Sequence, residues 1–387
     1  MAKTPRLYNI KAEISDELIS NIIAGVGGIA SETLPGVVST ASQTFSGVKT
    51  FKDGIILPSS FSLRNKLING DMRISQRYGA NKRTSVAANG YEYNVDRWSV
   101  YSQTANTIST QQTLLTAADE PLRQDGLSYY LRVNKETTAS TTDVFILQQA
   151  IEGLNAADLK WGTAYAKNVT ISFWARASAS VNYSLSICNT TTSATMIYVI
   201  PFNVTTSWQK FTFTIPGATS GTWASDNTCG ISVRFVLGGG GTTNSFNQWK
   251  ADNLYVGGST QFGTLAQNSY FDLTGVQFEV GPAATAFEHR PYGIELQLSQ
   301  RYWETIRTTS GIATGFNASG LRMYMALPWK ATKRTSPVVT QTNSDPGGGT
   351  LERVTSNADG VTMRYLFTYA GGDNGSPNIA FFADAEL

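Results

Sequence analysis

The sequence predicts a mainly β protein, and three observations carry that reading. Apolar and polar residues alternate with period 2 in segment after segment, as in half-buried strands. The segments are separated by turns rich in Gly, Asn and Ser, drawn from 35 glycines in the chain. Only 15% of residues are charged, a composition suited to short strands and turns rather than solvated helices.

The clearest strand is Val276, Phe278 and Val280 alternating with Gln277 and Glu279. Gly281-Pro282 ends it. Beyond a short loop the period changes. Ile294, Leu298 and Tyr302 are spaced by four, which places them on one face of a short helix. This stretch is therefore a hinge between one β domain and the next.

The rest follows in chain order. In residues 1–30, Ile10, Ile14, Leu18 and Ile22 are spaced by four with acids between them. This is an amphipathic helix too short to stand alone, so it needs a partner. Residues 31–60 are small and polar, with Phe45 and Phe51 among few apolar side chains. They read as a fibrous shaft that several chains would bury together, or as a linker. Residues 61–295 form the main domain. Its expected strands contain Val144, Ile146 and Gln148; Val169, Ile171 and Phe173; Phe211, Phe213 and Ile215; and Ile231, Val233 and Phe235. Such spacing marks a sandwich or jelly roll. Residues 296–387 make a second β unit, with Met323, Met325 and Leu327 alternating, then Val361, Met363 and Tyr365. Pro328 and Pro337 confine their segments to edges or turns.

Composition narrows the function classes. With 30 basic and 28 acidic residues the net charge is +2, so no long-range field draws the chain to nucleic acid. Arg64, Lys66, Arg73, Arg77, Lys82 and Arg83 cluster against Asp71; a solvated or interchain face fits them better than a phosphate site. No apolar run reaches a membrane span and no secretory leader is evident. Cys188 and Cys229 read as two buried thiols, with a single bridge between neighbouring strands as the alternative.

The search for catalysis is mostly negative. His289 is the only histidine, and its place before Pro291 suits an orienting structural role. One His and two distant Cys cannot fill a zinc shell. A calcium held by backbone carbonyls leaves no compact signature either way. Gly238–Gly241 lacks the Lys-Ser/Thr of a phosphate loop, and nothing marks a carboxylate pair for glycoside cleavage. The chain reads as non-enzymatic and without cofactors. That leaves binding. Sugars are gripped by aromatic faces and by side-chain amides, carboxylates and hydroxyls. Trp249, Trp329, Asn343, Asp345, Asp373 and Asn374, near polar loops, are the candidate receptor residues.

Several stretches resemble one family. TGVQFEVG (274–281), AFEHRPYG (286–293) and ELQLSQRYWE (295–304) are similar to a segment of bacteriophage tail-fibre and other virion receptor-binding proteins. SETLPGVVSTAS and QTFSGVKTFKDGI (31–55) resemble phrases of tail-fibre shafts, and SLRNKLINGDMRISQR (62–77) and YEYNVDRW (91–98) resemble the start of the family's sandwich. VTISFWARAS, then TSWQKFTFTIPG, then TGVQFEVG follow the order seen in carbohydrate-binding sandwich modules. The resemblance implies a homotrimeric fibre located on the virion, at its tail or collar. Ile10, Ile14, Leu18, Ile22, Phe45 and Phe51 would attach it to other virion proteins and oligomerise it. The sandwich and C-terminal unit would adhere to bacterial surface polysaccharide. Phe287, His289, Arg290 and Tyr292 would hold the interdomain loop. A purely structural collar, head or baseplate fibre, or a polysaccharide depolymerase, are the rival expectations.

Overall fold

The computed structural model describes residues 63–387, apart from 85, 138, 140–142, 191–194, 240–245, 252–260, 308–321, 346–348 and 368–377. The expectations for Ile10, Ile14, Leu18, Ile22, Phe45 and Phe51, and for Asp373 and Asn374, lie outside the described residues.

Two antiparallel sheets face each other. The seven-stranded sheet runs β1 (Gly90–Tyr93), β2 (Ser99–Ser102), β5 (Phe145–Glu152), β10 (Cys229–Gly238), β7 (Val181–Cys188), β8 (Ile197–Val204) and β11 (Trp249–Lys250). The five-stranded sheet runs β3 (Ile108–Leu114), β4 (Tyr129–Lys135), β12 (Tyr270–Val280), β6 (Val169–Ala177) and β9 (Gln209–Ile215). Their inner faces interdigitate as a β-sandwich. Phe173 of β6 packs on Phe235 of β10 at 4.9 Å and on Phe202 of β8 at 5.5 Å between ring centroids. Edge-to-face geometry of this kind adds to the area term for buried aromatics.

Most expected strands are present with the expected inner residues, because alternation identifies a half-buried strand. It misleads about the inner face where apolar residues fall on both sides, and it says nothing of whether a polar side is covered. In β5 all eight residues are buried, and the core side is Phe145, Leu147 and Ile151 rather than the set containing Val144 and Ile146. In β12, Gln277 and Glu279 are buried too. The chain folds back over them after Gly281: Glu288 N donates to Gln277 Oε1 at 2.8 Å and Thr285 N to Glu279 Oε1 at 2.8 Å.

Residues 65–70 lie alongside β12. Asn65 Nδ2 donates to Val276 O at 2.9 Å, and Val276 N donates to Gly70 O at 2.9 Å. A Cβ at Gly70 would stand 2.1 Å from Val276 O, so only glycine permits this approach.

The helix Tyr292–Gln300 forms as its spacing predicts, but its buried residues are polar. Ile294 is exposed, whereas Glu295, Ser299 and Gln300 are buried. Glu295 is held by Arg290 at 3.3 Å and accepts from Asn69 N. A satisfied carboxylate at this junction outweighs the modest gain from burying Ile294. Tyr302, beyond the helix end, is buried.

The C-terminal unit has two three-stranded antiparallel sheets: β13 (Trp303–Arg307), β18 (Asn378–Asp384), β15 (Val338–Asp345); and β14 (Arg322–Pro328), β17 (Gly360–Phe367), β16 (Gly349–Ser356). Ile306, Trp329, Val361, Met363, Phe381 and Ala383 form its small core. Pro328 ends an edge strand, as its missing N–H requires. Cys188 and Cys229 are free thiols.

Candidate functional site at the seam of the two β units

The C-terminal unit is locked to the sandwich by buried polar contacts. Arg97 donates to Ala150 O at 2.6 Å, pairs with Glu386, and lies 3.5 Å from the Tyr302 ring centroid. Glu152 accepts from Arg301 at 2.6 and 2.9 Å and from the Tyr302 hydroxyl at 2.7 Å. Within the C-terminal unit, Lys333 and Glu304 pair at 2.9 Å. Arg334 donates to Asn227 O at 2.8 Å and to Ala385 O at 2.9 Å, so it touches both units. Charges removed from water this completely persist only when paired.

Beside this lock, the seam opens into a cleft of about 580 Å³. One wall comes from the sandwich: Arg77, Tyr78, Tyr91, Glu92 and Tyr93. The other comes from β13, β18 and the residues just after it: Trp303, Phe382, Asp384 and Glu386. Register explains the second wall. Trp303 stands opposite Asp384, and Thr305 opposite Phe382; opposed residues share a face. Ile306, Phe381 and Ala383 take the other face and form the core. Trp303 and Phe382 stack at 5.8 Å. Arg77 sits over Tyr93 at 4.8 Å and over Trp303 at 4.7 Å, tying the two walls together by cation–π contacts. A second cavity, about 640 Å³, shares Gln76 and Thr305 with the first and runs on past Leu327, Pro328 and Lys330.

The acids of the cleft differ in their freedom. Glu386 is clamped by Arg97 and by Arg77 at 3.1 Å. Asp384 has its side chain 40% exposed and lies 3.9 Å from Arg77; burial against the seam pushes its carboxyl up from the usual range. Behind the wall, burial pushes Asp96 up to about 6 despite Arg77 and the donors of Gln76. Burial, then Glu386, pushes the Tyr93 hydroxyl up. Aromatic faces with a few convergent polar groups suit a saccharide. Among the described residues no group of three or more His, Cys, Asp or Glu is placed to hold a metal.

The residues singled out from sequence fall elsewhere. Trp249 is half-buried at the edge of the sandwich core, 5.2 Å from Trp161, 5.4 Å from Trp223 and 5.2 Å from Tyr198, and its indole donates to Pro216 O at 2.7 Å. Trp329 is buried in the C-terminal core and donates to Asn357 O at 2.9 Å. Neither ring is a surface platform of the kind expected. Asn343 and Asp345 lie within β15, opposite Ala380 and Asn378, rather than in a tip loop. Phe287 and His289 pack edge to face at 5.0 Å, and His289 Nε2 is 2.7 Å from Asp125 O. Arg290 pairs with Glu288 at 3.1 Å, while Tyr292 is exposed with Arg73 5.9 Å from its ring centroid. The early basic cluster is spread over six separate acidic partners: Arg64 with Glu279, Lys66 with Asp158, Arg73 with Asp71, Arg77 with Glu386, Lys82 with Glu136 and Arg83 with Glu92.

Sequence reasoning missed Trp303, Phe382 and Asp384. The signal present was local: Trp303 and Thr305 alternate with Glu304 and Ile306, and Phe382 and Asp384 with Phe381 and Ala383. Their meeting with Tyr91 and Tyr93 depends on the docking of two units.

No protein-family model and no curated protein sequence matches this chain. Solved structures do. The enzymatically active domain of tailspike protein 4 from bacteriophage CBA120 is 10% identical, over 56% of this chain and 21% of that chain, with a TM-score of 0.31. The family 11 carbohydrate-binding module of the Clostridium thermocellum cellulase Lic26A-Cel5E is 14% identical, over 53% of this chain and 100% of that one, with a TM-score of 0.26. A CBM4 structure is 19% identical, over 39% of this chain and 71% of that one, with a TM-score of 0.25. The chain thus spans about a fifth of the tailspike's length and all of the family 11 module.

Proposed function

We propose that this chain is a carbohydrate adhesin of a bacteriophage virion, a tail fibre or similar appendage, and that the seam cleft is its receptor site. One observation carries the reading. The cleft combines Tyr91, Tyr93, Trp303 and Phe382 with the partly open carboxylate of Asp384 on walls held rigid by buried ion pairs. Rigid walls lower the ordering cost of binding. The role is adhesion without cleavage, a reading supported by the other two acids of the cleft being paired: Glu386 with Arg97 and Arg77, and Glu92 with Arg83 at 3.4 Å. A homotrimer attached through the N-terminal region would repeat the site and raise avidity through effective concentration.

The test measures binding of the full chain to a panel of bacterial cells before and after periodate oxidation of their surface sugars. Phe382→Ala and Asp384→Asn are run in parallel. The expected result is binding that periodate abolishes and that each variant weakens by roughly tenfold, the loss of one stacking or charge-assisted contact. A folded protein that binds no cell would refute the proposal and favour a structural fibre. Release of reducing ends from the purified polysaccharide would refute the non-enzymatic role.

A further inference from the structure

The outward face of the sheet β14-β17-β16 carries charge that the seam cleft does not use. Alternation turns Met325, Leu327, Val361 and Met363 toward the core. Arg322, Tyr324 and Arg364 occupy the opposite face. On β16 a bulge between Leu351 and Arg353 shifts the register by one residue. The shift sets Arg353 directly opposite Arg364, which is itself opposite Tyr324. Like charges directly opposed on antiparallel strands repel.

Glu352, the extra residue of the bulge, offsets only part of this charge. It takes the Arg322 fork at 2.9 and 3.2 Å. Arg364 Nε lies 3.0 Å from the same carboxylate but is not aligned for a hydrogen bond. Arg353 is exposed and has no ion-pair partner among the described residues. Arg322 and Arg364 thus share one carboxylate, and Arg353 adds a third guanidinium beside Tyr324, which is 66% exposed.

We propose that this face binds a negatively charged saccharide. Its ring lies against Tyr324, and its phosphate or carboxylate sits between Arg353 and Arg364. A guanidinium fork matches either anion in a bidentate manner, and an anion there relieves the repulsion of the opposed arginines. A saccharide is favoured over nucleic acid because the whole chain carries a net charge of only +2, too little to concentrate a long polyanion. The inference does not depend on the seam cleft.

Calorimetric titrations of the full chain with galacturonate oligosaccharides, phosphorylated mannan, neutral dextran and a single-stranded DNA test it. The first two separate a carboxylate from a phosphate source. At least one should bind, more weakly as salt rises, while dextran gives no heat. Arg353→Gln lies at an exposed position and leaves the fold intact. It should weaken that binding about tenfold, the equivalent of one charge-assisted contact; Tyr324→Ala should do likewise, and Phe382→Ala in the seam cleft should change nothing. Failure of both anionic saccharides to bind would overturn the proposal. So would unchanged affinity in Arg353→Gln, or DNA binding as tight as that of the saccharide.

Discussion

Replacing Glu386 with Ala should undock the C-terminal unit more than any other single change at the seam. Its carboxylate pairs with Arg97, whose side chain is 1% exposed, and with Arg77, whose side chain is 9% exposed. Without it, the partners that Arg97 keeps among the described residues are the Ala150 carbonyl and the face of Tyr302. A cation left in that position has lost both its water and its counter-charge. Breaking a buried pair from one side costs about 3–5 kcal/mol, more than a hundredfold in the equilibrium between docked and undocked states. Trp303, stacked on Arg77 across the seam, provides a fluorescence report. Guanidinium unfolding should show a seam transition displaced by that amount, and limited proteolysis should cut between the units. Saccharide binding in the cleft should fall with it, since its two walls belong to different units. A transition within about 1 kcal/mol of wild type, with undiminished binding, would refute the argument that this pair fixes the cleft.

Two other outcomes follow from the same physics. Asp96 titrates at about 6 in the folded chain because it is buried, against about 3.9 for an exposed aspartate. The native state therefore holds the proton more tightly than the unfolded chain. This contribution is fully present below pH ~4 and is lost as pH rises through about 6, roughly 3 kcal/mol in all. Asp96→Asn should flatten that part of the stability curve, and parallel curves for the two proteins would contradict the assignment. Trp249→Ala should destabilise the sandwich by about 2–3 kcal/mol, because it deletes a half-buried ring from an aromatic cluster. Cell adhesion by the folded fraction should be unchanged; lost adhesion at full stability would return Trp249 to the receptor site.

The strands of the sandwich were legible wherever apolar residues fall on one face and polar ones on the other, whether or not the polar face is covered: Thr170 and Ser172 of β6 are buried too. Val169, Ile171 and Phe173 alternate with polar neighbours and are buried in β6; Phe211, Phe213 and Ile215 do so in β9, where Ile215 is buried and the two phenylalanines pack at the edge of the core. The same holds for Leu327, Val361 and Met363 in the C-terminal unit. Period-2 patterning reports which side is apolar, so in β5, where apolar residues lie on both faces, the strand of Val144, Ile146 and Gln148 was found but its core face was not. It also assigned Gln277 and Glu279 to solvent, because the segment that buries them arrives from beyond Gly281. The helix Tyr292–Gln300 was found by its spacing, but the residues it buries, Glu295, Ser299 and Gln300, are polar ones the spacing did not single out. The partners that hold Glu295, Arg290 and Asn69, lie outside the periodic set.

The candidate site was far less legible. Aromatic residues near polar loops were reasonable sugar contacts by composition, yet Trp249 and Trp329 are used for packing. A tryptophan beside a turn buries a large area whether or not it meets a ligand. The sequence by itself determined a β-rich chain, the order of most strands, and the strand break at Gly281-Pro282, since these depend on neighbours a few residues apart. Only the tertiary structure decided which polar residues are buried, which tryptophans are spent on the core, and that Tyr91 and Tyr93 face Trp303 and Phe382. The last of these depends on contacts between segments more than 200 residues apart, whose pairing is set by the summed packing of two β units rather than by any local pattern.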